Sequence, residues 1–336
     1  VDLLKLITDL DDNNLEDEIV IKKQLYKIDI LIYFKKTGKA VIVEDKVYSS
    51  EHHDQIVKYK NIIASISDSE KNKLGMKELN EIRTVYFKTG FFYDNDKMVE
   101  ADKIVQGKEF LEIVGKYKDK NTILQMYYEY LEGLIIWYED YGKFYNMGAE
   151  DFWNWNIVNH QIAQYNLMRA IFPENEWWNK RSEDYMVYHG TNKGSGRPWT
   201  QMFIYRGVFD SRSASYTVFW RIDTDEKGPY ISLRFYDDYD KNSEKEKQEH
   251  IIQYRYHKDQ IEGIISNSVK DTLDICKEVV PDKTANYKEA VLFHVHISDI
   301  LIDWANKEKE FTTIITEITD KFRNENLVEK GNRSSS

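Results

Sequence analysis

The first 90 residues alternate between apolar runs and short polar breaks, in a pattern that predicts helices and strands in a fixed order. Apolar residues at helical spacing near the start indicate a helix, and runs rich in Val, Ile and Tyr indicate strands. The predicted elements are a helix over residues 3–10, strands over 19–25, 27–34 and 39–46, a helix over 52–66 and a strand over 82–88. We therefore expect an α/β fold for this part of the chain.

The strands over 27–34 and 39–46 are joined by four polar residues that end in Gly38, which predicts a hairpin. If this turn closes an antiparallel pair, the numbers of opposed residues sum to about 73. Asp29 then lies opposite Glu44, and Lys46 lies on the same face as Glu44 because side chains alternate along a strand. Two carboxylates and one ammonium group are expected to converge.

Such a cluster of charges is costly without a ligand, because neighbouring carboxylates raise each other's pKa and buried ions lose their hydration. A divalent cation removes this conflict, and Mg²⁺ typically takes one or two protein carboxylates. Lys46 would then orient or deprotonate a water molecule, or stabilise developing charge. The alternative is a solvated hairpin face on which Asp29, Glu44 and Lys46 only pair with one another.

The helix after the hairpin carries Gln55 and Tyr59, which are four residues apart and therefore lie on one face. With Asp29 and the sequence Glu44-Asp45-Lys46, this pattern resembles the PD-(D/E)xK nuclease superfamily with the Gln-x-x-x-Tyr helix of RecB-type members. The resemblance covers about residues 1–90. It implies an αβββαβ restriction-endonuclease-like core with a mixed sheet.

The resemblance also implies site roles and a substrate. Asp29, Glu44 and the backbone carbonyl of Asp45 would bind Mg²⁺, for which Mn²⁺ can substitute. Asp29, Glu44 and Lys46 would be catalytic, and Gln55 and Tyr59 would position the phosphate of a DNA substrate. Many members add an acidic residue from the first helix; the candidates here are Asp9, Glu16 and Glu18.

Composition limits the class of protein. The formal net charge is −11, which argues against a protein that coats polyanions, yet residues 20–80 hold 12 Lys against 8 Asp and Glu. Lysines of that segment, among them Lys35, Lys36 and Lys39 at the hairpin turn, are candidates for phosphate contacts. The one cysteine, Cys276, cannot form an intrachain disulfide, which favours a reducing compartment. With no long apolar run, we expect a cytoplasmic protein without membrane contact.

The rest of the chain predicts helices followed by a C-terminal α+β domain. We predict a nuclease-like core over 1–105, a helical segment over 106–172, an accessory domain over 173–328 and a disordered tail over 329–336. In the accessory domain, strand-like segments precede a long charged helix, a further strand and a terminal helical segment. That domain is expected to select the substrate, a protein partner or a second copy of the chain.

The function predicted from these features is metal-dependent hydrolysis of phosphodiester bonds by a DNA endonuclease, with host defence as the setting that the resemblance suggests. RNA remains open as a substrate. One alternative is a nuclease-fold module that binds nucleic acid or protein without cutting it. A second alternative is a different metal-dependent hydrolase centred on His294 and His296, whose imidazoles share one strand face as a zinc pair would.

Overall fold

The computed structural model describes residues 2–8, 17–50, 54–141, 157–173, 186–192, 194–209, 211–268 and 286–333. The chain divides into two compact units, Val1–Asp140 and Tyr141–Ser336. A five-stranded sheet forms the centre of each unit. The finer division predicted at residues 105 and 172 stays a prediction.

Unit 1 has the predicted helix and strand order. Its main elements are α1 (Asp2–Thr8), β1 (Ile19–Leu25), β2 (Ile28–Phe34), β3 (Lys39–Lys46), α2 (Gln55–Ser65), α3 (Asp68–Leu74), β4 (Glu81–Lys88), β5 (Lys103–Gln106), α4 (Gly107–Gly115) and α5 (Thr122–Ile136). The strand order is β1-β2-β3-β4-β5, antiparallel from β1 to β3 and parallel from β3 to β5. The predicted mixed sheet of a restriction-endonuclease-like core is confirmed.

Two short elements of unit 1 were not predicted. α3 begins after Ser67, whose side chain accepts a hydrogen bond from the Glu70 backbone while the Glu70 side chain accepts one from the Ser67 backbone. This capping box was visible in the sequence as Ser-x-x-Glu. β5 has only four residues, and it becomes a strand because it pairs in parallel with β4.

The sheet of unit 1 is buried on both faces, which explains the apolar runs in its central strands. Tyr59 and Ile63 of α2 pack on one face, against residues of β2 and β3 such as Leu31 and Ile42. On the other face, Ile7 of α1 belongs to a cluster with alternate residues of the same strands and with β4 and β5. Alternation along β3 therefore directs the Glu44 side chain towards the α2 face.

Glycine is required at two points near β3. Gly38 closes the turn between β2 and β3 with φ +69°, and a Cβ there would lie 2.5 Å from Nδ2 of Asn80. At Gly90, a Cβ would lie 1.6 Å from the backbone oxygen of Val47. The chain that leaves β3 therefore runs directly against the chain that leaves β4.

Unit 2 is an antiparallel sheet with helices, as predicted for the C-terminal part. Its elements are α6 (Ile157–Ile171), β6 (Val187–Thr191), β7 (Pro198–Val208), β8 (Ser215–Asp225), β9 (Gly228–Asp237), α7 (Glu244–Ser268), β10 (Glu289–His296), α8 (Ser298–Ile302) and α9 (Trp304–Arg333). The strand order is β10-β9-β8-β7-β6. α9 runs to Arg333, so a helix enters the segment predicted to be a disordered tail; residues 334–336 lie outside the described residues.

Polar contacts link the helices of unit 2 to its sheet. The Trp220 indole of β8 donates to Thr319 Oγ1 of α9 at 2.8 Å, and both side chains are buried.

On the other face of β8, the guanidinium of Arg221 lies 2.6 Å from the Asp223 carboxylate and 2.9 Å from that of Glu289. Arg234 bridges the same two carboxylates, so these charges are mutually compensated.

None of the helices that the structure describes is long and apolar enough to cross a membrane.

Candidate active site

The hairpin brings Asp29 and Glu44 together in the predicted register. The ladder between β2 and β3 includes Ile30 opposite Val43, whose numbers also sum to 73. Just beyond that pair, Asp29 Oδ2 accepts a hydrogen bond from the backbone N–H of Asp45 at 3.0 Å. The other oxygen, Oδ1, accepts one from Gln24 Nε2 at 2.9 Å. The Asp29 carboxylate is thus fixed beside the end of β3.

Glu44 is a buried carboxylate with one paired oxygen. Its side chain is 2% exposed, and Oε1 lies 2.5 Å from Nζ of Lys46. Among the described residues, Oε2 of Glu44 has no hydrogen-bond partner. Burial raises the pKa of Glu44; Lys46 acts against this shift, and the Asp29 carboxyl adds to it. A buried acceptor of this kind destabilises the folded state unless a cation or a hydrogen-bond donor approaches it.

The donor set fits a hard divalent cation with few protein ligands. Two carboxylates, Asp29 and Glu44, meet at one point, and the Asp45 carbonyl is the predicted third ligand. In the parts of the chain that are described, no group of three or more His, Cys, Asp or Glu side chains is arranged to hold a metal. Mg²⁺ does not require such a group, because it usually keeps several waters and uses one or two carboxylates. The unpaired Glu44 oxygen is the observation that supports the fit.

Helix α2 presents Gln55 and Tyr59 together. Nε2 of Gln55 lies 3.5 Å from the Tyr59 hydroxyl, at the first turn of the helix. Burial raises the pKa of Tyr59, and the negative charges of Glu44 and Asp29 raise it further. Ile56 and Ile63 of the same helix are buried. The predicted site residues are therefore brought to one end of β3; their roles stay predictions.

Neither the candidate acid Glu18 nor the lysines of the hairpin turn lie at the end of β3 that holds Asp29 and Glu44. Glu18 pairs with Lys35 at the turn between β2 and β3, at the opposite end of β2 from Asp29, so it does not supply an acid to the cluster. Asp9 and Glu16 lie outside the described residues. The turn lysines that we considered for phosphate contacts lie at that same remote end of the hairpin, as Lys39 does at the first position of β3.

Sequence reasoning missed Lys88, which is fully buried beside the site. Parallel pairing of β3 and β4 places it next to Lys46. Its Nζ donates to the backbone oxygen of Ser49 at 2.6 Å and lies 3.7 Å from the Asp96 carboxylate. Burial lowers the pKa of Lys88; Asp96 acts against this shift, and Lys46 reinforces it. The sequence did contain one signal for Lys88, namely a lysine at the end of a strand that was predicted to be buried.

The histidine pair of unit 2 has a different environment. The rings of His294 and His296 lie 5.5 Å apart in an edge-to-face arrangement. Nε2 of His296 lies 3.1 Å from a carboxylate oxygen of Asp225. Within the described residues these histidines are not part of a group that could hold a metal. The geometry does not favour the zinc-hydrolase alternative.

Comparison with known proteins gives one match. Residues 2–157 match a family model described as PD-(D/E)XK nuclease superfamily. No curated protein and no solved structure matches the chain. The matched segment contains α1 through α5 and all of the residues gathered at the end of β3, whereas the sheet of unit 2 lies beyond it.

Proposed function

The chain belongs to the PD-(D/E)XK nuclease superfamily through residues 2–157, and on this basis we propose that it is a Mg²⁺-dependent deoxyribonuclease that cuts within DNA. The observation that carries the proposal is the meeting of Asp29, Glu44 and Lys46 at the end of β3, near Tyr59. Each of these side chains is of the type that phosphodiester hydrolysis requires.

Asp29 and Glu44, with the carbonyl of Asp45, are the groups that would hold the metal. A divalent ion held by these groups would supply Lewis-acid chemistry: it would lower the pKa of a water molecule and neutralise charge on the phosphate. Gln24 and the Asp45 N–H fix the orientation of Asp29, so its carboxylate is set before substrate binds. The choice of Mg²⁺ as the metal and of DNA as the substrate are both parts of the proposal.

Lys46 is the residue that acts on the attacking water. Its Nζ is held 2.5 Å from Glu44, which places a positive charge and hydrogen-bond donors beside the carboxylates. In this position the lysine orients the water and compensates the negative charge that develops on the phosphate oxygens. Gln55 and Tyr59 supply an amide and a hydroxyl that donate hydrogen bonds to the phosphate backbone on the α2 side.

A cleavage assay tests the proposal. Purified protein is incubated with supercoiled plasmid, linear duplex, single-stranded DNA and RNA, with Mg²⁺, with Mn²⁺ and with EDTA. We expect nicked or linearised plasmid with either metal and intact plasmid with EDTA or with the Lys46→Ala variant. If every DNA substrate stays intact under every condition, the proposal is contradicted, and degradation of RNA alone contradicts the choice of DNA.

The competing function is a nuclease-fold module that binds without cutting. The specific observation in its favour is that Glu18, one candidate for a further acid, is engaged elsewhere. This function requires nucleic-acid binding with no metal-dependent cleavage, so the same assay followed by a binding measurement distinguishes the two.

A further inference from the structure

An exposed group of tyrosines adjoins the carboxylate cluster in unit 1. Tyr48 lies two residues after the end of β3, and Tyr130 lies on α5; their hydroxyl oxygens are 3.5 Å apart. The two side chains are 57% and 54% exposed. Tyr127, one helical turn before Tyr130, is also exposed. We call Tyr48, Tyr127 and Tyr130 the tyrosine cluster.

The tyrosine cluster is continuous with the site. Burial raises the pKa of Tyr127, and the carboxylate of Asp45, the residue between Glu44 and Lys46, raises it further. At about 3.3 Å per residue in an extended chain, the backbone of Tyr48 lies within about 7 Å of that of Lys46. A nucleic-acid strand whose phosphate is held at this end of β3 therefore has its neighbouring bases within reach of Tyr48.

A cleft opens beside the tyrosine cluster, where β4 and β5 end. Its volume is about 230 Å³, and its walls include the aromatic residues Phe91, Phe92 and Tyr138 and the polar residues Gln106 and Lys108. The Phe91 and Tyr138 rings lie 5.5 Å apart, edge to face. Pockets for drug-sized ligands are larger, roughly 300–1,000 Å³. The cleft is of a size for one planar ring system.

Exposed rings that converge from two elements offer a flat surface for another π system. Bases stack on aromatic side chains whatever their sequence, and each stacked base typically changes affinity by roughly 5- to 150-fold. In a duplex the base faces are already covered by their neighbours, so only unpaired bases can use such a surface.

We propose that the tyrosine cluster and the adjoining cleft bind unpaired bases, so that the preferred substrate carries a single-stranded segment next to the bond that is cut. This inference rests on the proposed nuclease function and narrows its substrate class. The ring faces of Tyr48 and Tyr130 stack with bases, and the cleft receives a base that is turned out of the strand.

Binding is measured separately from cleavage, in a Lys46→Ala background with Mg²⁺. The probes are a fluorescently labelled single-stranded oligonucleotide and a duplex of the same sequence. We expect the single strand to bind more tightly than the duplex. Tyr48→Leu with Tyr130→Leu should weaken single-strand binding by about 10-fold or more and leave duplex binding within about twofold.

Two further variants separate stacking from structural effects. Tyr130→Phe keeps the ring and removes the hydroxyl contact with Tyr48, so it should bind the single strand within about twofold of the parent protein. Tyr128→Leu is the matched control, because Tyr128 lies on the same helix but bonds to Glu132 instead. This variant should also bind the single strand normally.

Equal single-strand binding by the Tyr48→Leu/Tyr130→Leu protein and its parent overturns the inference. So does sedimentation showing that the parent is a dimer which these two substitutions make monomeric, because the rings would then face a second copy of the chain. If the wild-type protein cuts no nucleic acid but single-strand binding still depends on the tyrosines, the proposed nuclease function fails and only the binding of unpaired bases stands.

Discussion

The Asp29 carboxylate accepts a hydrogen bond from the backbone N–H of Asp45 at 3.0 Å, just past the last ladder pair between β2 and β3. This hydrogen bond joins β2 to β3 one step beyond the backbone ladder. It directs the Asp29 carboxylate across β3 towards Glu44. The Asp29 carboxylate is therefore positioned in part by the backbone of β3. Predictions about individual residues follow from this arrangement.

Lys46→Ala should reduce the rate of DNA cleavage by about 10²-fold or more, because it removes the group that acts on the attacking water. The substitution also leaves the buried Glu44 carboxylate without its cation, so stability should fall, and circular dichroism checks that the protein is still folded under the assay conditions. Circular dichroism and initial cleavage rates measure the two effects. Lys36→Ala, at the exposed turn between β2 and β3 and remote from the site, is the control and should retain cleavage. An active Lys46→Ala protein excludes the mechanism.

Mn²⁺ and Mg²⁺ should raise the thermal unfolding temperature of the wild-type protein, because a ligand that binds only the folded state stabilises it. The gain is about 2.7 kcal/mol at a metal concentration of 100 times Kd. Glu44→Gln should lose this response, since it removes one of two carboxylate ligands. Differential scanning calorimetry with and without metal tests this, and Glu18→Gln should respond as the wild type does. An undiminished response in Glu44→Gln would place the metal elsewhere.

Gln55→Ala should weaken the positioning of substrate more than it weakens metal binding. A side-chain amide can donate hydrogen bonds to a phosphate, whereas it competes poorly for Mg²⁺ beside two carboxylates. The cleavage rate is measured as a function of DNA concentration and then of Mg²⁺ concentration. We expect a raised KM for DNA and an unchanged Mg²⁺ requirement. A large rise in the Mg²⁺ requirement with normal DNA binding contradicts this assignment.

Lys88→Met should destabilise the protein by about 3–5 kcal/mol, because it leaves the Asp96 carboxylate buried without its cation. Asp96 also accepts hydrogen bonds from the Tyr86 hydroxyl and the Tyr93 backbone, so it cannot move to solvent without breaking them. Urea unfolding measures the loss. Lys71→Met is the matched control: Lys71 pairs with Asp68 at 3.1 Å, but the Asp68 side chain is 93% exposed, so the substitution should cost less than about 1 kcal/mol.

Asp102→Ala should remove stability that depends on pH. The Asp102 carboxylate accepts hydrogen bonds from the Thr84 backbone and hydroxyl, both at 2.8 Å, at the start of β5. Burial acts to raise its pKa, but the bonds from Thr84 and the charge of Lys60 give a net lowering. The folded state thus favours the charged carboxylate, and its contribution is present above the unfolded value of 3.8 and is lost as pH falls through the lower folded pKa.

The expected difference between wild type and Asp102→Ala is about 1–3 kcal/mol at pH 7, the range for hydrogen bonds to a charged group. It should shrink towards zero in acid, as measured by urea unfolding between pH 2 and pH 7. Asp68→Ala, whose side chain is 93% exposed, should differ from wild type by less than about 1 kcal/mol at each pH. A difference between wild type and Asp102→Ala that does not change with pH contradicts the prediction.

The sequence by itself determined the hairpin of β2 and β3 and the meeting of Asp29 with Glu44. Turn length and the alternation of side chains fix the register of a hairpin, because a shift by one residue would turn every apolar side chain to the wrong face. The spacing of Gln55 and Tyr59 likewise set their common helix face. All of these relationships are local in the chain.

Only the tertiary structure decided which distant segments lie beside this hairpin. Parallel pairing brings Lys88 next to Lys46, and packing of α5 brings Tyr130 to Tyr48, 82 positions away. The tertiary structure also decided the position of Glu18, which pairs with Lys35 at the turn between β2 and β3, away from the site. Such contacts depend on how whole elements bury their apolar faces against one another, and the local pattern of polar and apolar residues does not specify the partner.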